Sequence, residues 1–386
     1  MKKILAFVPS PPPCAGPEIT SKALLENLKL EKDCSLRILK SNVRTNNHEK
    51  GKFNISGLTS AVRVLFKLFV SCVTYRPAIV YFLLSSSKVG FLRDFFVILI
   101  SKICFCSVIA HYHGSNFRNF YLGQSQWYQW LIRIGLKNID TLIVQGECLK
   151  PVFEDLYPAD RIKVLHNGVP LELIEKSDKT KRNGDQALSL LFISHISFTK
   201  GFYELIFAFE ELSMEYPDLS LWVAGDLTLN ATTQSEFLTG NSREFYKQHF
   251  RFVHEKIENF LEKSNEKKIR YFGVVDEKEK CALYEKADIF VLPSYTEGFP
   301  TAVLEAMAFG MPMVVSSVGA MPEILQEEEN ALFVPPGDAK ILANRIRRLL
   351  TDPSLRKRMG EANHRLCRRR YCMSTVQKHF SNILSS

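Results

Sequence analysis

The feature of this sequence that most constrains its fold is a repeated alternation of short apolar runs with longer amphipathic stretches. In the first half of the chain the runs are rich in β-branched residues and apolar at nearly every position. Strands of that kind, separated by helices, are typical of a parallel, doubly wound sheet that is buried on both faces. The strands predicted there are 4–8, 35–39, 78–84, 104–112, 141–144 and 163–165, and the helices are 18–30, 59–75 and 88–103.

A second alternation of the same kind follows a charged, polar segment. Its predicted strands are 189–194, 220–224, 269–272, 289–292 and 313–316, and its predicted helices are 202–214, 278–286, 302–309 and 340–350. With 386 residues, 46% of them hydrophobic, the chain is long enough to bury two cores. We predict an α/β fold with a doubly wound N-terminal domain over 1–172, a linker over 173–186 and a doubly wound C-terminal domain over 187–365. The polar stretch 227–267 is predicted to form two surface helices.

Composition limits the compartment and the partners. The excess of 50 Lys and Arg over 41 Asp and Glu gives a formal charge of +9, which suits nucleic acid, an anionic membrane or phosphorylated small molecules. The nine cysteines lack the paired spacing of a structural zinc site and fit reduced thiols. The first apolar run, 4–8, is shorter than a signal-peptide core, and charges interrupt the apolar stretch 91–110. We expect a cytoplasmic chain with no membrane-spanning segment.

Residues that follow the predicted strands are the first candidates for ligand binding, because doubly wound sheets bind ligands at the carboxyl ends of their strands. A proline-rich turn after the first strand leads to Gly16 and offers backbone amides to a phosphate. The strand ending at Tyr112 runs into His113, which is either a structural histidine or a functional imidazole. No Gly-x-Gly-x-x-Gly follows the first strand of either domain, which argues against a dinucleotide-dependent dehydrogenase.

The strongest candidate is the segment 294–310, which reads Ser-Tyr-Thr-Glu-Gly-Phe-Pro-Thr-Ala-Val-Leu-Glu-Ala-Met-Ala-Phe-Gly. It follows a predicted strand and turns into a helix, with Glu297 in the loop and Glu305 on the helix. The two carboxylates are therefore placed to contact different parts of one extended ligand. The amides between Gly298 and Thr301, except that of Pro300, and those of the first helical turn are donors for sugar hydroxyls and phosphate oxygens.

The segment from Glu297 to Glu305 resembles the Glu-x7-Glu motif of family 4 glycosyltransferases. That family has the GT-B fold, in which two Rossmann-like, doubly wound domains face each other across a cleft. Further similarities cover most of the chain at the intervals expected for the family; they are Gly16, His113-Gly114, 164–169, 192–201 with Lys200-Gly201, 223–226, 287–294, 318–323 and 334–338. The resemblance implies a retaining glycosyltransferase. It also implies that residues 366–386 form a helix that returns to the N-terminal domain.

The resemblance further implies a role for each matching residue of the C-terminal domain. Glu305 would accept hydrogen bonds from the ribose hydroxyls of the nucleotide, since a carboxylate accepts from two neighbouring hydroxyls at once. Glu297 and nearby loop amides would orient the transferred sugar. Lys200 would neutralise the diphosphate leaving group, where negative charge develops as the glycosidic bond breaks. The backbone at Val274 would contact the base.

From the N-terminal domain, Gly16 would let the backbone approach the diphosphate, and His113 would contact the sugar near its reacting carbon. The residues expected to bind the donor are Gly16, His195, Lys200, Val274, Glu297, Gly298, Phe299, Pro300, Thr301 and Glu305. The residues expected to act in catalysis are His113, Lys200 and Glu297.

Two features set the charge balance expected at the diphosphate. Where the family has Gly-Arg before its Lys-Gly, this chain reads Ser194-His195, and a histidine is only partly charged near neutrality. Either His195 donates a hydrogen bond to the diphosphate or Lys200 acts alone. The sequence has no Asp-x-Asp pair, which a metal-clamped diphosphate requires. We expect no metal and no other cofactor, with lysine and helix amides in place of the cation.

The acceptor is expected on the N-terminal domain, where residues 116–137 mix aromatic and basic side chains. This mixture suits a membrane interface or a lipid-linked acceptor, or it belongs to a helix with a buried aromatic face. The basic residues 365–370 either touch anionic lipid or form a solvated helix face. The expected partners are a nucleotide-sugar donor, a glycan or lipid-linked acceptor, and an anionic membrane contacted peripherally at the inner face of the plasma membrane.

Three functions follow from these observations. The first is transfer of a sugar, with UDP-sugar favoured as donor, in the synthesis of a bacterial cell-surface polysaccharide, lipopolysaccharide or glycolipid. The second is a non-catalytic protein of the same fold that binds a nucleotide-sugar or scaffolds a partner, which His195 favours and Lys200, Glu297 and Glu305 oppose. The third is nucleic-acid binding, against which the dispersion of the basic residues argues. We expect no nucleic-acid partner.

Overall fold

The computed structural model describes residues 2–9, 16–26, 28, 34–41, 55–177, 188–227, 238–262 and 268–385. The chain divides into two compact units. Unit 1 comprises Met1–Gly168 and Met373–Ser386, and unit 2 comprises Val169–Cys372. Each unit contains one six-stranded sheet, and every pairing between neighbouring strands in either sheet is parallel.

Unit 1 is a doubly wound α/β unit with the strand order β2-β1-β3-β4-β5-β6. Its strands are β1 (Lys2–Val8), β2 (Cys34–Lys40), β3 (Ile79–Leu84), β4 (Ser107–Tyr112), β5 (Thr141–Val144) and β6 (Ile162–Val164). Its helices are α1 (Gly16–Leu25), α2 (Ile55–Tyr75), α3 (Lys88–Ile103), α4 (Phe117–Leu122), α5 (Gln126–Lys137) and, from the end of the chain, α14 (Met373–Ser385). Short 3₁₀ turns cover Glu147–Phe153 and Ala159–Arg161.

The sheet of unit 1 is buried on both faces, which explains why its strands are apolar at nearly every position. Along β1, Leu5 and Phe7 point into the core under α2, α3 and α5, whereas Ile4, Ala6 and Val8 point into the core on the opposite face. Helices α1 and α14 cover that opposite face. The apolar residues of α14 recur at helical spacing, as Met373, Val376, Phe380 and Leu384, and all four are buried there.

Unit 2 is a second doubly wound unit, with the strand order β12-β11-β10-β7-β8-β9. Its strands are β7 (Ser189–Ile193), β8 (Ser220–Ala224), β9 (Ile269–Tyr271), β10 (Ile289–Leu292), β11 (Met313–Ser316) and β12 (Leu332–Val334). Its helices are α6 (Leu171–Ser177), α7 (Phe202–Glu215), α8 (Gly240–Glu262), α9 (Glu277–Lys286), α10 (Thr301–Ala308), α11 (Met321–Ile324), α12 (Ala339–Thr351) and α13 (Pro353–Leu366). A 3₁₀ turn covers Phe198–Lys200, and a π-helical turn covers Cys367–Tyr371.

Several element boundaries differ from the prediction. The predicted strand 104–112 begins only at Ser107, because Cys104 ends α3 and Phe105 takes a left-handed φ of 58°. The predicted helix 18–30 ends at Leu25. The stretch predicted to form two surface helices contains α8, whose backbone is kinked at His249, while residues 228–237 and 263–267 lie outside the described part.

The units also divide the chain at positions other than those predicted. Unit 2 begins at Val169, and its first helix, α6, occupies the start of the predicted linker 173–186, because Leu173 and Ile174 are buried in the core of unit 2. Residues 178–187 lie outside the described part. At the other end, Cys367 and Tyr371 are buried in unit 2, so the return to unit 1 starts at Met373 and not at residue 366.

Candidate active site

The change of strand order in unit 2 brings two loops together. The order reverses direction between β7 and β10, and an α/β sheet opens a ligand crevice at the carboxyl ends of the strands at such a point. Strand β7 leads into the turn Phe198–Lys200, and β10 leads into the loop 293–300 before α10. The amide of Tyr295 donates to the carbonyl of Thr199 at 2.9 Å, so the loops are in direct contact.

Gly201 permits this close approach. Its φ is +70°, which L-residues with a side chain rarely adopt. A Cβ atom at this position would lie 1.9 Å from the carbonyl oxygen of Pro293, which is backbone and cannot move aside. Glycine is therefore required directly after Lys200. This close contact explains why the sequence has glycine in the Lys200-Gly201 pair.

Glu297 is held in a fixed position by the neighbouring loop. It is 8% exposed, and its Oε1 accepts hydrogen bonds from Lys200 Nζ and from Ser294 Oγ, each at 2.7 Å. Gly319, with a φ of +54°, packs against its backbone, since a Cβ there would lie 2.0 Å from the Glu297 carbonyl oxygen. The structure thus brings together two of the predicted catalytic residues, Lys200 and Glu297, as an ion pair at the switch point.

Glu305 lies on the second turn of α10 and is held by a second Lys–Glu pair. Its Oε1 accepts from Lys280 Nζ at 2.7 Å, and its Oε2 accepts from the Tyr284 hydroxyl at 3.0 Å. Burial raises the pKa of the Glu305 carboxyl above its ordinary value, and the ammonium of Lys280 opposes that rise. Burial lowers the pKa of Lys280, but the carboxylates of Glu305 and Glu277 outweigh it and raise the pKa overall. Each carboxylate of the motif therefore has a lysine partner from another element.

Residues 174–365 match the family model described as Glycosyl transferases group 1. The chain carries a group 1 glycosyltransferase domain. Among similar proteins, glycogen synthase of Mycobacterium tuberculosis is 27% identical over 235 residues, which are 60% of this chain and 50% of that protein. The chain thus spans about half the length of the curated relatives it matches.

Solved structures of similar fold cover the whole chain. HepE of Anabaena in complex with UDP is 15% identical with a TM-score of 0.68, and the match covers 100% of both chains. Sucrose-phosphate synthase of Thermosynechococcus elongatus is 17% identical with a TM-score of 0.71, and the match covers 100% of this chain and 98% of the other. These matches confirm the predicted GT-B fold with two Rossmann-like domains.

The N-terminus of α10 in the group 1 domain carries the loop amides expected to bind the donor. Pro300 is the residue that precedes the helix, and Thr301 begins it. Phe299 is 4% exposed and its ring packs edge-on against Tyr371, which anchors the loop in the core. The carbonyl of Gly298 accepts from the amide of Ala320 at 3.1 Å. The loop from Gly298 to Thr301 is therefore fixed on both sides before the helix starts.

The structure leaves two other expected donor-binding residues near the surface of the group 1 domain. His195 is exposed just beyond the end of β7. Val274 is 75% exposed in the turn after β9, next to Gly273 with a φ of +67°. Both residues lie beyond the carboxyl ends of strands β7 and β9, where ligands bind to sheets of this type.

The residues that support the two carboxylates were not among those predicted from the sequence. Lys280 and Tyr284 are four residues apart on α9 and so lie on one helix face, but only the packing of α9 against α10 reveals that they meet Glu305. Ser294, which stands inside the recognised segment, donates to Glu297. The four-residue spacing of Lys280 and Tyr284 was the one sequence feature that pointed to a shared role for these two residues.

A buried acid lies directly behind the loop that carries Glu297. Glu204 on α7 is 6% exposed, and its Oε1 accepts from the Tyr295 hydroxyl at 2.5 Å. Its Oε2 is buried and has no hydrogen-bond partner among the described residues. Burial raises the pKa of Glu204 to about 7, with the Tyr295 hydrogen bond acting in the opposite direction.

We expect Glu204 to make the stability of unit 2 depend on pH near neutrality. Because its folded-state pKa lies above the unfolded value, its contribution is present at low pH and is lost as the pH rises through about 7. The free energy of unfolding should fall by about 1 kcal/mol between pH 6 and pH 8 through this group. Denaturant titrations at both pH values measure this fall in wild type and in Glu204→Gln. The fall should be smaller in the variant, because the glutamine cannot ionise. An equal fall in both proteins would contradict the assignment.

In unit 1, His113 follows β4 and belongs to a hydrogen-bonded network of polar side chains. Its Nδ1 lies 3.0 Å from Gln145 Nε2 and 3.4 Å from Thr20 Oγ1, and its Nε2 lies 3.2 Å from His111 Nδ1. Tyr81 contacts the same nitrogen of His111 at 2.8 Å. Burial lowers the pKa of His113 to about 4, so at neutral pH the imidazole is uncharged. It is suited to hydrogen bonding and not to acting as a cation.

A pocket lies beside His113 in unit 1, between α1, the end of β6 and α14; its lining includes Thr20, His111, His113, Asn167 and Met373. Gly16, the other expected contact from this unit, is the first residue of α1. The proline-rich turn before it, residues 10–15, lies outside the described part. In the described part of the chain, no group of three or more His, Cys, Asp or Glu is arranged to hold a metal ion.

Proposed function

We propose that the chain is a retaining, metal-independent glycosyltransferase that transfers a sugar from a nucleotide-sugar to a hydroxyl of a glycan or lipid-linked acceptor. The observation that carries the proposal is the pair of lysine-bound carboxylates, Glu297 with Lys200 and Glu305 with Lys280, at the switch point of a group 1 domain. A UDP-sugar is favoured as the donor, and the UDP bound to the structurally similar Anabaena protein supports that choice. The acceptor is proposed to belong to cell-surface polysaccharide, lipopolysaccharide or glycolipid synthesis.

The ribose is proposed to bind at Glu305. Lys280 and Tyr284 occupy one side of this carboxylate and hold it in place, and the side chain remains 15% exposed. An ionised carboxylate has about four acceptor positions on its two oxygens, so positions remain for two vicinal hydroxyls. Charge-assisted hydrogen bonds of this type are about twice as strong as neutral ones.

The diphosphate is proposed to bind at Lys200 and at the N-terminal amides of α10. The Lys200 side chain is 22% exposed while its ammonium is bound to Glu297, so the residue is not fully enclosed by the protein. As the bond to the leaving group breaks, negative charge develops on the diphosphate, and a preorganised ammonium stabilises that charge. Helix amides act in the same direction because the N-terminus of a helix carries partial positive charge.

Glu297 is proposed to orient the transferred sugar, together with the amides of Phe299 and Thr301. Its carboxylate is fixed by Lys200 and Ser294, so a sugar hydroxyl bound to it would be held at a defined angle. His113, neutral at physiological pH, is proposed to contact the sugar as a hydrogen-bonding group. Gly16 and the backbone at Val274 are proposed as further donor contacts, and His195 as a hydrogen-bond donor to the diphosphate.

A panel of UDP-, GDP- and ADP-sugars tests this function, because a ligand that binds the native state raises its melting temperature. We expect one class of nucleotide to raise the melting temperature, and the purified chain to release the nucleoside diphosphate slowly from that donor. A melting temperature unchanged by every donor would overturn the proposal. Stabilisation without any release or transfer would instead support a non-catalytic nucleotide-sugar-binding protein, which the replacement of the usual arginine by His195 favours.

A further inference from the structure

Three helices of unit 1 form one layer over the same side of the sheet. Residues of α2, α3 and α5 are all buried in the core that contains Leu5 and Phe7 of β1. Helix α3 lies between the other two and packs against both. A Cβ added to Gly135 of α5 would lie 3.1 Å from the ring of Phe91 on α3, which shows how closely these two helices approach. The sides of the three helices that point away from the sheet therefore form one continuous surface, which we call the outer face.

The outer face carries many exposed apolar side chains. On α2, Val62, Phe66, Phe69, Val70 and Val73 recur at helical spacing and are between 40% and 65% exposed. On α3, Val89, Leu92, Phe96, Leu99 and Ile103 form a second stripe and are between 41% and 61% exposed. On α5, Trp127 and Trp130 are 61% and 64% exposed. Single exposed apolar residues are common, but a contiguous set of this size marks an interaction site.

Phe105, two residues beyond the end of α3, is a further exposed aromatic residue. It is 96% exposed and adopts a φ of 58°, a conformation that is unfavourable for a bulky residue. The aromatic residues of the segment 116–137 divide between two environments. Phe117, Tyr121 and Tyr128 are buried, as the plain interpretation of that segment predicted, whereas the two tryptophans point outward.

The charges on these helices have one sign. The residues of α2 that are charged at neutral pH are Arg63 and Lys67, and those of α5 are Arg133 and Lys137. Helix α3 has a single acid, Asp94, which is buried and bound to Arg93 at 2.6 Å. Asp140, three residues beyond α5, is partly exposed and is bound to Lys102 of α3 at 2.6 Å, which neutralises one charge at that edge. Three helices that combine exposed aromatic and aliphatic side chains with basic residues, and that carry no exposed acid of their own, complement anionic lipid headgroups above a hydrocarbon layer.

We infer that the outer face of α2, α3 and α5 docks on the surface of an anionic lipid bilayer. A second copy of the chain is a poorer occupant, because an isologous dimer through this face would oppose basic residues to basic residues. Within the described residues, no helix is long and apolar enough to cross a membrane. The face lies wholly in unit 1, and its test does not depend on the proposed transfer activity.

Vesicle co-sedimentation of the full chain tests the inference. We expect binding to vesicles of phosphatidylcholine with phosphatidylglycerol and at least about tenfold weaker binding to vesicles of phosphatidylcholine alone, since each basic residue near an anionic surface contributes about 1 kcal/mol. The double variant Phe66→Ser with Leu99→Ser should lose at least about tenfold in binding to the anionic vesicles. The matched control is Met214→Ser with Phe252→Ser, which removes two apolar side chains that are 77% and 55% exposed on unit 2, and it should bind like wild type.

A charge-reversal variant and tryptophan fluorescence test the same inference by independent means. The charge reversal Arg63→Glu with Lys67→Glu changes only exposed residues of α2, so it should fold normally while losing vesicle binding. Trp127 and Trp130 should shift their fluorescence to shorter wavelength when anionic vesicles are added, because water leaves their surroundings. Wild type remaining in the supernatant, or the Phe66/Leu99 variant binding like wild type, would overturn the inference. A concentration-dependent dimer in light scattering that this variant abolishes, without vesicle binding, would identify a second copy as the occupant instead.

Discussion

Replacing Glu305 by alanine is expected to weaken binding of the nucleoside diphosphate by about 100-fold. Hydrogen bonds to a charged group contribute about 1.5–3 kcal/mol, and this carboxylate is proposed to accept from the ribose. The substitution also removes the principal partner of Lys280, whose side chain is 17% exposed. Isothermal titration of wild type and variant with the nucleoside diphosphate of the preferred donor measures the change directly.

The structure offers a matched control for this experiment. Glu277 contacts the same ammonium of Lys280, at 3.1 Å, but its side chain is 60% exposed. Glu277→Ala should therefore leave the dissociation constant within about twofold of wild type, because an exposed ion pair contributes little. If both alanine variants bind equally well, Glu305 does not hold the nucleotide. Glu305→Gln, which can still accept from Tyr284, separates loss of charge from loss of packing.

Replacing Lys200 by alanine is expected to lower kcat by about 100- to 1,000-fold with a much smaller change in KM. Loss of one preorganised group that stabilises developing negative charge has an effect of this size. The lysine is proposed to act mainly as the leaving group departs, so its loss should appear in turnover and not in ground-state binding. Steady-state kinetics with the preferred donor measure both constants.

Controls for Lys200 are available in the same unit. Lys256 forms a surface ion pair with Glu210 at 2.8 Å, and Lys256→Ala should leave both kinetic constants unchanged. Lys200→Ala also removes one of the two side-chain hydrogen bonds that the described residues donate to the buried Glu297, so its melting temperature must be compared with that of wild type. A fully folded Lys200→Ala variant with wild-type kcat would exclude the proposed role.

Much of the fold could be predicted from the sequence because its signals are local. The helix Lys88–Ile103 has the predicted bounds, and Ser87 caps it by accepting from the amide of Gly90, which is a local feature. By contrast, the apolar run from Cys104 indicated a strand, although Phe105 makes a left-handed turn there. Periodicity cannot distinguish a short apolar turn from the start of a buried strand.

The candidate site could be predicted in part for the same reason. Glu297 and Glu305 belong to one continuous segment, so their spacing and the strand before them could be recognised in the sequence. The partners of the two acids come from elsewhere in the chain: Lys200 is 97 residues from Glu297, and Lys280 is 25 residues from Glu305. Such pairs depend on strand order and helix packing, which no local pattern in the sequence reveals.

The most direct test of the account is a crystal structure of the chain with the nucleoside diphosphate of its preferred donor. We predict that the ribose hydroxyls lie within hydrogen-bond distance of Glu305 and that a phosphate oxygen contacts Lys200. The nucleotide should lie beyond the carboxyl ends of β7 and β10. A nucleotide bound anywhere else on the chain, with Glu305 and Lys200 untouched, would contradict the account.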